Sequence, residues 1–213
     1  MSRIKNAKKI AHSKSFTDTL CALLVLAVFI SFCGWCLEMA GRFLLYRQVN
    51  DRGFLTLPLC PIYGTSIVGV YLLLGTPKTV SGLLGTPVTQ RRWWRSKVRG
   101  RLWLVLLLYF ITVTAVSSSV ELAVGLIAKA IGTPLWDYSE RAFNLFGVIC
   151  LEFSLMWGAL ITAFMLFLWE PLWRAFRKIP TVVTRSLAFC FGIAISVDFL
   201  VNVIYLFAVG NRL

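Results

Sequence analysis

Long apolar runs alternate with short polar segments along the chain. The runs at residues 17–40, 101–125, 143–169 and 183–209 are each long enough for a helix to cross a hydrocarbon core of about 30 Å. A shorter run at 58–74 is close to the lower limit for a crossing. We predict a fifth membrane span there, with a re-entrant hairpin as the alternative.

Backbone hydrogen bonding predicts the secondary structure of these runs. In lipid a spanning segment must satisfy its own N–H and C=O groups, which a helix does. The sequence therefore predicts an all-α integral membrane protein with a bundle of about five transmembrane helices. A basic arm at residues 1–16 precedes a single transmembrane domain at 17–213. Composition agrees, since 58% of the residues are hydrophobic and only 15% are charged, whereas soluble domains are nearer half apolar and a quarter charged.

Basic residues concentrate in alternate connections between the runs. The 22 Lys and Arg residues give a net charge of +13, and most of them lie in the N-terminal arm, the loop 75–100 and the segment 174–185. Cytoplasmic loops of membrane proteins carry such an excess. The pattern predicts a multi-pass protein of the cell membrane with its N-terminus inside and its C-terminus outside. Its basic residues would then meet the lipid bilayer, not nucleic acid.

Two parts of the chain share one order of features. "GWCLEMAGR" is followed after a polar loop by "LCPIYG", and "SSSVELAVG" is followed by "FNLFGVICLE". Each pair has a glutamate near the end of its first helix and an aromatic residue, a glycine and a cysteine near the start of its second. This order is typical of two repeated hairpins, which a fifth helix follows, and transporters are often built from repeats.

Four of the nine acidic residues fall inside the predicted spans, namely Glu38, Glu121, Glu152 and Asp198. A carboxylate in hydrocarbon costs at least ~2.5 kcal/mol, so each should face the bundle interior or water. Helical spacing places each acid on a stripe of small or polar residues; one such face joins Asn144, Val148 and Glu152.

These stripes allow two interpretations. We predict a cavity, open to the outside, that binds a solute or relays protons; its lining residues are Glu38, Arg42, Glu121, Asn144, Glu152, Asp198 and Asn202. The alternative is that the acids pair with arginines and hydroxyls and only hold the helices together.

The segment "RGFLTLPLCPIYG", residues 52–64, is unusually rich in proline and glycine for a membrane loop. Proline is tolerated in a first helical turn because its missing N–H would have no partner there. We interpret the segment as a rigid entry into the next helix. It would also cap the outer mouth of the cavity beside "WDYS"; the residues assigned to this mouth are Arg52, Gly53, Cys60, Pro61, Tyr63, Gly64, Trp136, Asp137 and Tyr138.

Other chemistries have less support in the sequence. Cys33 and Cys36 form a CxxC pair near the outer end of the first helix, which suggests a membrane thiol oxidoreductase as an alternative function. The chain has one histidine, His12, so the sequence predicts no His-based metal site, and it predicts no cofactor. No GxxxxGK[ST] motif occurs, so we expect no ATPase activity and no enzyme in this chain. A non-catalytic membrane subunit that binds a partner is a third alternative.

The blocks "GWCLEMAGR", "DRGFLTLPLCPIYG" and "WDYSERAFNLFGVICLEFSLMWG" resemble the signature of the bacterial ABC-transporter type IV permease family. The resemblance covers about residues 30–165. It assigns Gly34, Trp35 and Glu38 to the first block, Arg52–Leu55, Pro58 and Cys60–Gly64 to the second, and Trp136–Ser139, Phe143, Asn144 and Gly147 to the third. Cys33 does not belong to the family pattern, which weakens the thiol oxidoreductase interpretation.

The resemblance implies a permease, or a permease-like subunit, that moves a small solute or ion across the bacterial cytoplasmic membrane. Because this chain has no nucleotide-binding motif, an ABC-type system would need a separate ATPase or another membrane subunit, which would meet the basic loop 75–100. A homo-oligomer is also compatible with the sequence.

Overall fold

Five helices and one short hairpin make up the parts of the protein that a computed structural model describes, residues 15–47, 54–79 and 99–209. The side chains at 42, 45, 46 and 99–101 are not among the described ones. The elements are α1 (Phe16–Tyr46), α2 (Pro61–Leu74), α3 (Arg99–Ala130), β1 (Asn144–Leu145), β2 (Ile149–Cys150), α4 (Leu151–Lys178) and α5 (Thr181–Val209).

Four of these helices have the length and composition to cross a membrane. Their apolar stretches are Phe16–Gly41, Leu102–Ala130, Leu151–Lys178 and Thr181–Val209. Helix α2 has 14 residues, or roughly 21 Å at ~1.5 Å per residue, which is shorter than the ~30 Å of hydrocarbon. The prediction of an all-α membrane protein with about five helices is confirmed.

The start of α4 differs from the sequence prediction. The apolar pattern predicts a fourth span from residue 143, but residues 144–150 form an antiparallel hairpin, with Asn144 opposite Cys150, and the helix begins at Leu151. Phe143, Phe146 and Gly147 have φ values of 52°, 58° and 70°, which a right-handed helix does not contain. The apolar composition of this stretch gives no indication of the turn.

Helix α4 contains a π-helical turn at Phe164–Leu168. Pro171 follows it inside the same helix. Proline has no N–H to donate to the carbonyl four residues earlier, and its ring crowds that carbonyl. A local change of hydrogen-bond register just before the proline is a common accommodation of this defect.

The chain divides into two compact units, and the first comprises residues 1–65 and 172–213. Within it α1 packs against α5. Near the starts of both helices, Arg185 Nε donates to Asp18 Oδ1 at 2.7 Å. Farther along, the segment 54–60 is bonded both to Ser31 of α1 and to Asp198 of α5. The starts of α1 and α5 are therefore adjacent, and so are the later parts of both helices. The two helices run parallel.

The second unit comprises residues 66–171, where α3 packs antiparallel to α4. Near the middle of this pair, Gly158 lies so close to the Thr114 side chain that an added Cβ would overlap it. At one end the Tyr109 hydroxyl donates to Gly75 O at 2.8 Å, which anchors the end of α2 to α3. At the other end the hairpin covers Gly125, beside Val148 and Trp136.

Candidate functional site

A non-helical segment, residues 54–60, lies between α1 and α5 in the first unit. Leu55, Leu59 and Cys60 are buried there. Leu57 N donates to Asp198 Oδ2 and Cys60 N donates to Ser31 O, both at 3.2 Å. The irregular backbone is thus tied to helices on two sides.

The depth of this segment follows from the parallel helices. Ser31 and Asp198 each lie roughly 20 Å along their helices from the Asp18–Arg185 pair, at ~1.5 Å per residue. That distance falls within the ~30 Å of a hydrocarbon core that starts near the pair. Backbone without helical hydrogen bonds is tolerated at such a depth only where protein groups or a water-filled cavity satisfy it. Asp198 is one such group.

Asn202 is the buried partner of Asp198 on α5. Its Nδ2 donates to the Asp198 carbonyl at 2.9 Å, to Asp198 Oδ1 at 3.3 Å and to Thr56 Oγ1 at 3.1 Å. The predicted spacing of four residues does place both polar groups on one face. Together they link α5 to the segment 54–60.

The start of α2 makes a close approach to α1. Gly64 leaves no room for a Cβ because Ala27 O and Ser31 Oγ occupy the space, and Gly34 is similarly closed by the Tyr63 ring. Small residues allow such backbone proximity between membrane helices. In the structure the "CPIYG" stretch therefore forms the helix entry that its proline and glycine predicted.

Glu38 lies beside the start of α2. Cys60 Sγ donates to Glu38 Oε2 at 3.4 Å, immediately before Pro61 opens α2. A helix N-terminus carries a partial positive charge, which favours a carboxylate nearby. The N-terminal end of α2, Glu38 and the Asp198–Asn202 pair thus surround the segment 54–60.

The acids of the second unit have different surroundings. Glu121 is half-buried on α3. Glu152 lies in the first turn of α4, with 70% of its side chain exposed and its Oε2 3.8 Å from Arg141 Nη1. Each acid is described within its own unit only, so the single shared cavity remains a prediction.

Asn144 does not lie on a helix face with Glu152, and that prediction was wrong. It begins β1, and its Nδ2 donates to Ser139 O at 3.1 Å and to Arg141 O at 2.8 Å. Its Oδ1 accepts from Gly147 N at 3.1 Å. The amide therefore organises the loop before α4 by satisfying backbone groups.

The "WDYS" residues also fold this loop. Trp136 Nε1 donates to Val148 O at 2.7 Å, and Tyr138 N donates to Gly147 O at 2.8 Å. Asp137 Oδ1 accepts from both the hydroxyl and the backbone N–H of Ser139. These bonds, the hydroxyl first, and the charge of Lys129 hold the pKa of Asp137 below its usual value of 3.8. Trp136 and Asp137 thus bond to neighbours in the same loop and hairpin.

Some predicted site residues lie outside the described part, namely the side chain of Arg42 and the residues Arg52 and Gly53. One contributor was missed, namely Thr56, which accepts from Asn202. Ser139, which organises the loop, was assigned only to the third family block and not to the outer mouth. Nothing in the local sequence marks Thr56, because its partner is 146 positions away. Ser139 does follow Asp137 at the spacing of an Asx turn, a signal that was available.

All six cysteines, including Cys33 and Cys36, are free thiols. Within the described ranges no group of three or more His, Cys, Asp or Glu residues is arranged to hold a metal ion.

Comparison with known proteins identifies the family. The model of the family described as "Putative ABC-transporter type IV" matches residues 25–203. Searches of curated proteins and of solved structures found no match. The matched range includes the segment 54–60, both acids beside it and the loop before α4. The chain therefore belongs to the ABC-transporter type IV family of membrane proteins.

Proposed function

We propose that this chain is a permease-type membrane subunit that moves a small solute or ion through a site at the segment 54–60. The observation that carries the proposal is an irregular backbone segment at membrane depth, held by Asp198 and Asn202, beside a helix N-terminus at Glu38. Transporters commonly build their central sites from interrupted helices, whose N-termini and unwound backbone groups face the substrate.

The chemistry of the site favours a cation or a hydrogen-bonding solute. Carboxylates inside a membrane are costly and most often belong to substrate or ion pathways. The two carboxylate oxygens of Asp198 accept hydrogen bonds from Leu57 N and Asn202 Nδ2. A bound cation, or a solute with donor groups, can replace these two donors, so that the carboxylate keeps a partner for its charge. The segment 54–60 would then shift as the site fills.

The energy source would be external to this chain. The sequence has no nucleotide-binding motif, so ATP-driven transport needs a separate ATPase. In this proposal that subunit meets the basic cytoplasmic loop, and the chain acts in the cytoplasmic membrane of a bacterium. Glu121 and Glu152 would line the same pathway in the second unit.

The test is a comparison of solute content. Cells that lack the chain and cells that produce it are compared by mass spectrometry for small solutes and inorganic ions. The component whose level changes is then measured in cells that produce Glu38→Gln or Asp198→Asn. Both changes remove a negative charge but keep the size and an acceptor oxygen, so we expect normal membrane levels of protein and at least a tenfold loss of the effect.

Three further substitutions complete the design. Glu140→Gln alters an exposed acid in the loop before α4 and should leave the solute level unchanged. Glu121→Gln and Glu152→Gln test the shared pathway and should also abolish transport. Full transport by both Glu38→Gln and Asp198→Asn would refute the proposed site, and reduced protein levels in their place would indicate that the acids only hold the helices together.

A further inference from the structure

Two phenylalanines before α4 have an unusual backbone conformation. Phe143 and Phe146 adopt φ values of 52° and 58°, which bulky residues rarely do. Their own side chains do not explain this, because they are 83% and 63% exposed. The polar frame around them does: Asn144 bonds to Ser139 O, Arg141 O and Gly147 N.

This frame leaves two aromatic rings largely exposed. Leu145, between them, is also exposed. Strained conformations persist where the surrounding structure fixes them, and they cluster at functional sites. An apolar cluster of this kind on a surface indicates an interaction partner.

The hairpin's apolar side chains continue the membrane-facing surface of the second unit. Phe143 and Leu145 line a groove of about 410 Å³ together with Ile111 of α3 and with Leu151 and Leu155 of α4. Both helices have the length and composition of membrane spans. The hairpin therefore adjoins lipid directly, and Phe143 and Leu145 extend that surface beside the start of α4.

A basic group lies beside Phe146. Lys129 Nζ, near the end of α3, donates to Phe146 O at 3.1 Å. Its side chain is exposed, so the ammonium group can also meet a lipid phosphate. Aromatic rings next to a cation at the end of a membrane helix match the boundary between acyl chains and headgroups.

We infer that the residues 143–150 form a membrane-surface anchor, with Phe143 and Phe146 inserted into the boundary between phospholipid headgroups and acyl chains. The partner is the bilayer itself, not another protein. The αL conformation at both residues fixes the direction of the rings, while the polar loop 136–141 stays in water. This inference does not depend on the transport proposal or on which side of the membrane the hairpin occupies.

Site-directed spin labelling tests the anchor on the full chain. In a background without native cysteines, Phe143→Cys, Phe146→Cys and Glu140→Cys are each spin-labelled in nanodiscs of phosphatidylcholine and phosphatidylglycerol. Labels at 143 and 146 should collide several-fold more with oxygen, which partitions into lipid, than with a water-soluble nickel complex. The label at 140 should show the opposite preference. Access to nickel at 143 and 146 would overturn the inference, and so would protection from both reagents, which would indicate a protein partner.

A second pair of variants avoids the label. Asparagine tolerates positive φ, so Phe143→Asn and Phe146→Asn preserve the turn while removing the rings. We expect the double variant to unfold in detergent at the same temperature as the original chain. Its stabilisation on addition of phospholipid should be at least halved. An undiminished rise in Tm with lipid would contradict the anchor.

Discussion

At the scale of single residues, the contact between α1 and α2 depends on positions that have no side chain. Gly64 faces a backbone carbonyl, Ala27 O, which cannot rotate away as a flexible side chain could. Gly69, five residues later on the same helix, has nothing within 4 Å of an added Cβ. The two glycines therefore form a matched pair for mutation.

Gly64→Ala should destabilise the protein by about 1–3 kcal/mol, because an overpacked contact must move the helices apart. Gly69→Ala should be neutral or stabilising by up to about 1 kcal/mol, since alanine favours helix. Thermal unfolding in detergent measures both. Equal Tm values for the two variants would contradict the close approach of α2 to α1.

Residue spacing predicted part of the candidate site and missed the rest for identifiable reasons. Asp198 and Asn202 share a face because four positions make about one helical turn, and their atoms are within hydrogen-bonding distance. Thr56 joins them across 146 positions, a distance that no local pattern encodes. The prediction that Asn144 shares a helix face with Glu152 was wrong because the chain turns between them, where a helical period does not apply.

At the scale of elements, the loop before α4 is held together by its own polar hydrogen bonds, although the chain around it is largely apolar. Its hydrogen bonds come from Trp136, Asp137, Asn144 and the backbone around Gly147. The long spans were predictable, since about 20 apolar residues leave little choice of structure in lipid. The hairpin was not, because "FNLFGVIC" looks equally apolar and its turn depends on positive φ values that hydropathy does not report.

The loop should lose stability in acid. Ser139 and Lys129 depress the pKa of Asp137 below 3.8 in the folded protein. A depressed carboxyl pKa adds stability above the unfolded pKa and loses it as pH falls through the folded value. Backbone hydrogen exchange at residues 138–147, corrected for its intrinsic pH dependence, should therefore accelerate below about pH 4. Asp137→Asn should abolish that pH dependence, and an unchanged profile would contradict the assignment.

At the scale of the whole molecule, the parallel packing of α1 and α5 constrains the number of crossings. Two parallel spans both begin on the same side of the membrane, so the chain between them must cross an odd number of times. If α3 and α4 each cross once, α2 supplies the third crossing despite its 14 residues. The buried segment 54–60 shortens the distance that α2 must cover, because α2 starts inside the membrane.

Cysteine labelling tests this topology. In a background without native cysteines, Ser81→Cys should react with a membrane-impermeant maleimide only from the cytoplasm, and Ser139→Cys only from outside. Five crossings with the basic loop inside predict this result. Labelling of both positions from the same side would exclude a full crossing by the α3 span that lies between them.

The parallel pairing of α1 and α5 also sets an order of assembly during synthesis. Asp18 and Arg185 are 167 positions apart, and Leu57 and Asp198 are 141 apart, so the first helix leaves the ribosome long before its partner exists. The bonds of the loop before α4 span far shorter separations, such as 12 positions for Trp136 and Val148. The second unit can therefore fold while translation continues. We therefore expect the first unit to close only after α5 has been inserted, so that the nascent α1 waits for its partner until the end of synthesis.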